Sequence, residues 1–598
     1  FYIRGLWESM FSRANKKLKK SYRTNTVTVS FSKSMKKEKA NISLIKKEVL
    51  ALSTISWKQH ISNLGTISET IFDKLKEVST EMIMADSTGL ELSGNKFLTV
   101  SILFKNLLEK KVKGQNIGLL IPSTCAGAFI NNSILMMGKT AVNLNYTSEV
   151  ESLKQAVKKA EVKTIVASLK FVEKLKSKGI DISSLFDLVE VIYLEDLKKE
   201  ITKSSGLLTL LSVKFLPSFI LKSIHLKKIK KDDTVLILFS SGSEGTPKGI
   251  ELSSDNVLGN SQQIANVLNV NDEDIFVGSL PIFHAFGIVV TTFLPLIEGI
   301  KCVAHPDPTD GLGLGKLIHK YKATILTGTS TFFRLYTKNP KVNPLMFESL
   351  RLTVAGAEKL RSDVRLEFKK KFGKDILEGF GTTETTPVTS CNLPDVLTPD
   401  YIVQKGNKVG TVGMALPGTF IKIVDPETFE ELETNEEGMV LISGIQVMKG
   451  YLKDEKKTQE VLKQIDGHTY YITGDKGKLD HDGFLTIVDR YSRFAKLGGE
   501  MISLTAVEQK ISKLIDLEED SQTDFIATSL EDEKKGEKII LLISSVDESF
   551  VSELKERINT SFENKLMIPS LIKIVEDIPK LGTGKKDFKG AKELARKV

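Results

Sequence analysis

Residues 239–249 read FSSGSEGTPKG and follow directly on the apolar run TVLIL at 234–238. Beyond Phe239, the glycines Gly242, Gly245 and Gly249 let backbone N–H groups come close to an anion. Ser240, Ser241, Ser243 and Thr246 add hydroxyl donors, and Lys248 adds a positive charge. Such a loop can hold a polyphosphate, and it points to a nucleoside triphosphate. It is not a Walker loop, which needs glycine before the lysine and Ser or Thr after it; here those places hold Pro247 and Gly249. The plain alternative is a glycine-rich surface turn.

Together with further segments, the loop resembles the adenylate-forming superfamily, which comprises acyl-CoA synthetases, adenylation domains of peptide synthetases and luciferases. Those segments are PIFHAFG (281–287), VAGAEKL (354–360), GFGTTE (379–384), YITGD and DRYSRFAKLGGEMIS within 471–503, and IPKLGTGKKDF (578–588). Without the resemblance, GTTE reads as a capped helix start, VAGAEKL as a strand leading into a helix, His284 as a structural histidine and Lys585 as a solvated lysine in a lysine-rich tail. With it, Phe380 stacks on adenine, Gly381 lets the chain turn beneath the ring, Thr382 and Thr383 supply hydroxyls to the nucleotide, and Glu384 holds Mg²⁺ against ATP oxygens. Gly356, Ala357 and Glu358 lie along the adenine, and His284 lies beside the substrate carboxylate. Asp475 accepts the ribose hydroxyls, Arg490 reaches the nucleotide, and Gly498, Gly499 and Glu500 shape a phosphopantetheine channel. Lys585 contacts the carboxylate and the α-phosphate as a point charge that enters and leaves with its domain.

The resemblance spans residues 78–596. In finer detail, VNLNYTSE (142–149), the Ser243–Glu244 centre of the loop and RFAKLGGEMIS are similar to the acyl–acyl-carrier-protein synthetase half of bifunctional bacterial phospholipid-recycling enzymes. That implies ATP-dependent fatty acid activation through acyl-AMP and transfer to the phosphopantetheine of acyl carrier protein, in the service of lysophospholipid reacylation. A long-chain acyl-CoA synthetase, with CoA as acceptor, is the second reading, and an inactive lipid-binding scaffold is the third. Ser492 stands at the hinge position, where Asp or Lys is usual; serine can absorb a large change of backbone angle.

The elements that must position these residues can be read from apolar runs. Segments 116–122, 162–168, 188–194, 234–239 and 323–327 have strand length, and 124–137, 253–268 and 311–321 have helical periodicity. Strand–helix alternation implies α/β architecture with largely parallel sheets and binding loops at the strands' carboxyl ends. The expected division is an acyltransferase remnant at 1–50, a connector at 51–77 whose lysine-rich, helix-patterned stretch begins near residue 36, an adenylation domain with a small β subdomain at 78–489 and a mobile α+β domain at 490–598. The remnant rests on two short strand-like segments, 1–7 and 25–35, which resemble the closing strands of a glycerophospholipid acyltransferase whose catalytic part would lie upstream. His305 and Asp310 have that family's spacing but no companion motif, so coincidence is the reading here. Gly311, Gly313 and Gly315 lack the spacing of a dinucleotide loop and suggest a turn before a helix.

At 598 residues the chain exceeds a single core, and 41% hydrophobic with 27% charged residues is an ordinary globular composition. Three scattered cysteines argue against a disulfide scaffold or zinc site and fit a reducing cytoplasm. The net charge of +9 suits an acidic partner or an anionic membrane face; no base-reading module supports nucleic acid. No apolar run is long enough to span a bilayer, but LLTLLSVKFLPSFIL at 207–221, followed by lysines, reads either as a buried helix or hairpin or as a segment lying in a membrane interface. The expected location is therefore the cytoplasm or the cytoplasmic face of the inner membrane.

Overall fold

The computed structural model describes residues 1–4, 27–39, 41–240, 247–497, 500–515, 523–532, 536–580 and 586–597. The chain divides into two units. The first comprises Phe1–Lys422, Leu441–Thr473 and Leu479–Thr486, and the second Ile423–Val440, Gly474–Lys478 and Ile487–Val598.

The first unit is built on two large sheets. One has the strand order Gly450–Tyr451, Lys248–Ser253, Thr234–Ser240, Thr140–Asn143, Asn116–Leu120, Thr164–Ala167, Glu190–Tyr193. Its last five strands are mutually parallel, and antiparallel pairing begins where Thr234–Ser240 meets Lys248–Ser253. The second sheet has nine strands and is parallel through its centre, where Ile275–Gly278, Ile325–Gly328, Leu352–Ala355 and Ile376–Gly381 lie side by side. The apolar runs of the sequence form the central strands because both faces are covered. Ile165 and Ile237 pack with Leu153, Val157 and Leu175 at the first sheet, and Val277 and Leu326 pack with Phe333, Phe347 and Phe368 at the second.

The connector segment forms two helices, Ile42–Asn63 and Ile67–Glu77. The second starts with a reciprocal capping box, Thr66 with Glu69, and buries Ile67, Ile71, Phe72 and Leu75. Trp57 of the first is buried beneath Gly418, where any Cβ would lie 2.4 Å from the indole Cγ. Tyr2–Arg4 and Thr28–Ser30 pair antiparallel, as the strand-like segments suggest. Gly311, Gly313 and Gly315 fall inside the helix Gly311–Tyr321 and not in a turn ahead of it. Asp310 caps that helix by accepting from Gly313 N at 2.9 Å, and His305 Nε2 lies 3.3 Å from Asp310 Oδ2. This pair has a local structural role.

A smaller sheet follows the order Thr419–Val424, Gly438–Gly444, His468–Leu479, Leu462–Ile465, with Leu485–Arg490 paired to His468–Leu479. The chain passes from the first unit to the second within these strands. In the second unit, Gly536–Ser544 is flanked by Asp524–Asp532 and, in parallel, by Leu571–Val575. Alternation sorts its side chains: Ile539, Leu541 and Ile543 face the helices Leu504–Leu514 and Glu548–Ser561, while Ile540 and Leu542 face the helix Phe588–Lys597. The protein is thus α/β, with a large N-terminal part on parallel sheets and a smaller C-terminal part.

Candidate active site

The foot of the glycine-rich loop is fixed by strand pairing. Lys248 lies opposite Ser240 and Gly249 opposite Phe239, so residues 241–246 connect two antiparallel strands at the carboxyl end of Thr234–Ser240. Ser241, Gly242, Ser243, Gly245 and Thr246 lie outside the described residues. Gly249 is closely packed, since a Cβ would lie 3.1 Å from the side chains of both Phe239 and Leu452. The Lys248 ammonium lies 5.6 Å from the centroid of the Tyr451 ring.

The same tyrosine reaches GFGTTE. The strand Ile376–Gly381 pairs with Val388–Cys391, with an irregularity between Phe380 and Gly381. A Cβ on Gly381 would lie 1.7 Å from the Pro387 carbonyl oxygen, so only glycine fits. Thr382 N then donates to Thr385 Oγ1 at 3.0 Å, closing a one-turn 3₁₀ helix over Thr383–Thr385. Glu384 Oε1 accepts from the Tyr451 hydroxyl at 2.9 Å, and its backbone oxygen accepts from Met448 N at 2.8 Å. Burial, and then the Glu384 charge, push the Tyr451 phenol well above its ordinary pKa. Phe380, Thr382, Thr383 and Glu384 remain half-exposed.

These contacts bring together three stretches remote in sequence: the base of the glycine-rich loop, the 379–384 motif and Tyr451. Tyr451 carries no motif of its own. Its frame is likewise unannounced in sequence: Asn256 Nδ2 donates to the Ile445 and Val447 carbonyls, both at 2.8 Å. One helical turn on, Asn260 bonds Val388 through both its amide atoms, at 2.8 and 3.1 Å. The readable signal is two amides four residues apart, on one face of the helix Ser254–Val267, since buried amides need partners. A carboxylate held by a phenol next to a phosphate-type loop fits a divalent cation. Among the described residues no cluster of three or more His, Cys, Asp or Glu could hold a metal, so an ion at Glu384 would take its other ligands from phosphate oxygens and water.

Two further predicted segments lie at carboxyl ends of the nine-stranded sheet. Gly356 follows Leu352–Ala355, and a Cβ there would lie 3.0 Å from the Phe286 ring. Ala357 has φ +71°, a left-handed conformation. The Glu358 carboxylate accepts from Thr331 N at 2.5 Å, which ties it to the start of the helix Ser330–Lys338. His284 is half-buried, with its ring centroid 4.5 Å from that of Phe283, whose own ring meets Tyr146 at 4.7 Å. Gly287 continues this segment under the Pro281 carbonyl, 2.1 Å from where a Cβ would lie.

In the second unit Asp475 and Arg490 come together. Arg490 Nε donates to Asp475 Oδ1 at 3.1 Å, and the carboxylate is buried while the guanidinium is exposed. Asp489, which carries no predicted role, accepts from Ser503 Oγ at 2.5 Å, Thr505 Oγ1 at 2.9 Å and Thr505 N at 3.2 Å. Ser492 sits in the 3₁₀ turn Tyr491–Arg493. Leu497 pairs with Glu500; Glu500 is exposed, and Gly498 and Gly499 lie outside the described residues. Lys585 also lies outside them. Its neighbours are accounted for: Lys580 and Lys586 bridge each other through the backbone, and their amines lie 2.7 and 3.2 Å from the Asp524 carboxylate.

Comparison with known proteins bears on the family and the fold. Residues 105–452 match the family model of the AMP-binding enzyme. The chain is 30% identical over 498 residues, 81% of its length, to a probable 4-coumarate–CoA ligase 2 of Dictyostelium discoideum, covering 86% of that protein. It is 25% identical over 496 residues to a long-chain-fatty-acid–CoA ligase of Salmonella typhimurium, covering 79% of this chain and 84% of the other. Among solved structures, ATP-bound MatB from Rhodopseudomonas palustris superposes with a TM-score of 0.71 at 22% identity, over 89% of this chain and 99% of that one. MenE from Bacillus subtilis in complex with the acyl-adenylate intermediate OSB-AMP gives 0.70 at 20% identity, over 88% and 98%. These likenesses bear on the fold. The chain belongs to the AMP-binding enzyme family.

Proposed function

We propose that this chain is an AMP-forming ligase that activates a fatty acid and hands it to a phosphopantetheine thiol. The convergence of Lys248, Glu384 and Tyr451 carries the reading, because it sets a carboxylate beside the foot of a polyphosphate loop. In the first step a fatty acid carboxylate oxygen attacks the α-phosphorus of ATP, the bond to the β-phosphate breaks, and pyrophosphate leaves. Residues 240–249 hold the β- and γ-phosphates, Asp475 and Arg490 serve the ribose, and Lys585 sets a positive charge against the reacting phosphate. A Mg²⁺ held by Glu384 would offset phosphate charge. In the second step the thiol sulfur attacks the acyl carbon, the bond to AMP oxygen breaks, and the thiol proton passes to solvent.

For the acceptor we propose the arm of an acyl carrier protein, on the similarity of VNLNYTSE, the Ser243–Glu244 centre and residues 493–503 noted above. A partner acyltransferase domain and lysophospholipid reacylation follow from the same similarity. CoA is the second reading, favoured by the names of the relatives. Incubating the purified chain with ATP, Mg²⁺, labelled fatty acid and either holo carrier protein or CoA separates them. Thioester on the carrier protein in large excess supports the first, and acyl-CoA alone the second. Absence of fatty-acid-dependent pyrophosphate release overturns both.

A further inference from the structure

The segment 207–221 folds into two helices, Lys203–Phe215 and Ser218–His225, joined at Pro217. The first packs on the helix Gly94–Leu108 and the second on Ile67–Glu77. They are pinned there: Lys76 Nζ donates to the carbonyls of Val213 and Leu216, and Lys222 pairs with Asp73 at 2.7 Å.

Their polarity is reversed from that of an ordinary surface helix. Val213 and Leu221 face inward, but Leu208, Leu211 and Phe215, spaced three and four residues apart on one stripe, face outward. Leu208 is 67% exposed, Phe215 70%, Phe219 71% and Ile224 59%. From residue 201 to 231 there are seven lysines and no acidic residue. Lys203, Lys214, Lys227, Lys228 and Lys230 are exposed, and Lys214 sits 5.3 Å from the Phe215 ring.

We propose that this helix pair is a docking surface for an anionic lipid bilayer, lying in the interface with Leu208, Leu211, Phe215 and Phe219 among the acyl chains and the lysines among the headgroups. Exposed apolar side chains and lysines in a stretch with no carboxylate of its own match a surface that is anionic outside and apolar beneath, while Lys222 and Lys227 lie against Asp73 and Glu109 at neighbouring helices. A second copy of this chain matches less well, because a two-fold contact through the patch would set lysines against lysines. No described helix is long and apolar enough to cross a membrane, so the attachment is to the surface. This inference goes beyond the proposed reaction and does not depend on the acceptor.

Co-sedimentation of the full chain with vesicles tests it. Vesicles of phosphatidylcholine mixed with phosphatidylglycerol should pellet the protein, and phosphatidylcholine alone should pellet it about tenfold less well. The double variant Leu208→Glu, Phe215→Glu should lose about tenfold or more in partitioning to the mixed vesicles while keeping the wild-type thermal melt, since both side chains stand in solvent. Lys228→Glu with Lys230→Glu should weaken binding and flatten its dependence on salt. Equal pelleting of wild type and the apolar variant, or none by wild type, overturns the proposal. So does a wild-type dimer that the apolar variant dissolves while neither binds vesicles.

Discussion

Glu384 is held on two sides, by the Tyr451 hydroxyl at its carboxylate and by Met448 N at its backbone oxygen. A carboxylate set to receive a cation is useful only if its oxygens point one way. Removing the phenol frees the carboxylate to turn, which on the proposed reading weakens its hold on Mg²⁺. For Tyr451→Phe we expect adenylation to slow by about tenfold, the worth of one hydrogen bond to a charged group. The Mg²⁺ concentration for half-maximal rate should rise with it. ATP–pyrophosphate exchange at graded Mg²⁺ measures both, and an unchanged Mg²⁺ dependence would remove Tyr451 from the site. GFGTTE was readable through its resemblance to the family motif, and the structure adds a stereochemical demand at Gly381, under the Pro387 carbonyl. Tyr451 was not, because a single aromatic residue after a glycine has no spacing to betray it, and its partner lies 67 residues away.

At the scale of elements, a buried carboxylate ties a strand to a helix. Asp489, at the end of Leu485–Arg490, accepts three bonds from Ser503 and Thr505 and so fastens that strand to the start of the helix Leu504–Leu514. Asp489→Ala leaves those donors without their acceptor, at about 2 kcal/mol. Amide exchange across Leu504–Leu514 should accelerate by roughly thirtyfold. Exchange at the wild-type rate would mean that packing of Val507 and Ile511 suffices. The central strands were legible from their apolar runs, because both faces are buried. The helices Ile42–Asn63 and Ile67–Glu77 were legible as helices but read as a connector. Their place in the core rests on Trp57 beneath Gly418, a contact between residues some 360 positions apart that no local pattern encodes. The stripe at Leu208, Leu211 and Phe215 is the converse case: local sequence allowed a buried or an interfacial helix, and only the packing of neighbouring helices decides which side faces water.

Across the whole molecule the three cysteines are buried and free. Burial pushes the Cys302 and Cys391 thiols up to about 12 and raises Cys125 further still. Thiolates are the reactive form, so the native chain should react slowly with a disulfide reagent at neutral pH and release three equivalents on denaturation. One fast-reacting thiol in the native protein would contradict this packing. The pairing of Ile250 with Tyr451 has a consequence in time. About two hundred residues separate the partners, and a ribosome adding roughly 5–20 residues per second needs some ten seconds or more to traverse them. Throughout that interval Lys248–Ser253 lacks its edge partner, and Glu384, made about two-thirds of the way through it, still lacks its phenol. On the proposed reading, a nascent chain at that stage carries an unfinished site, because Asp475, Arg490 and Lys585 are made later still.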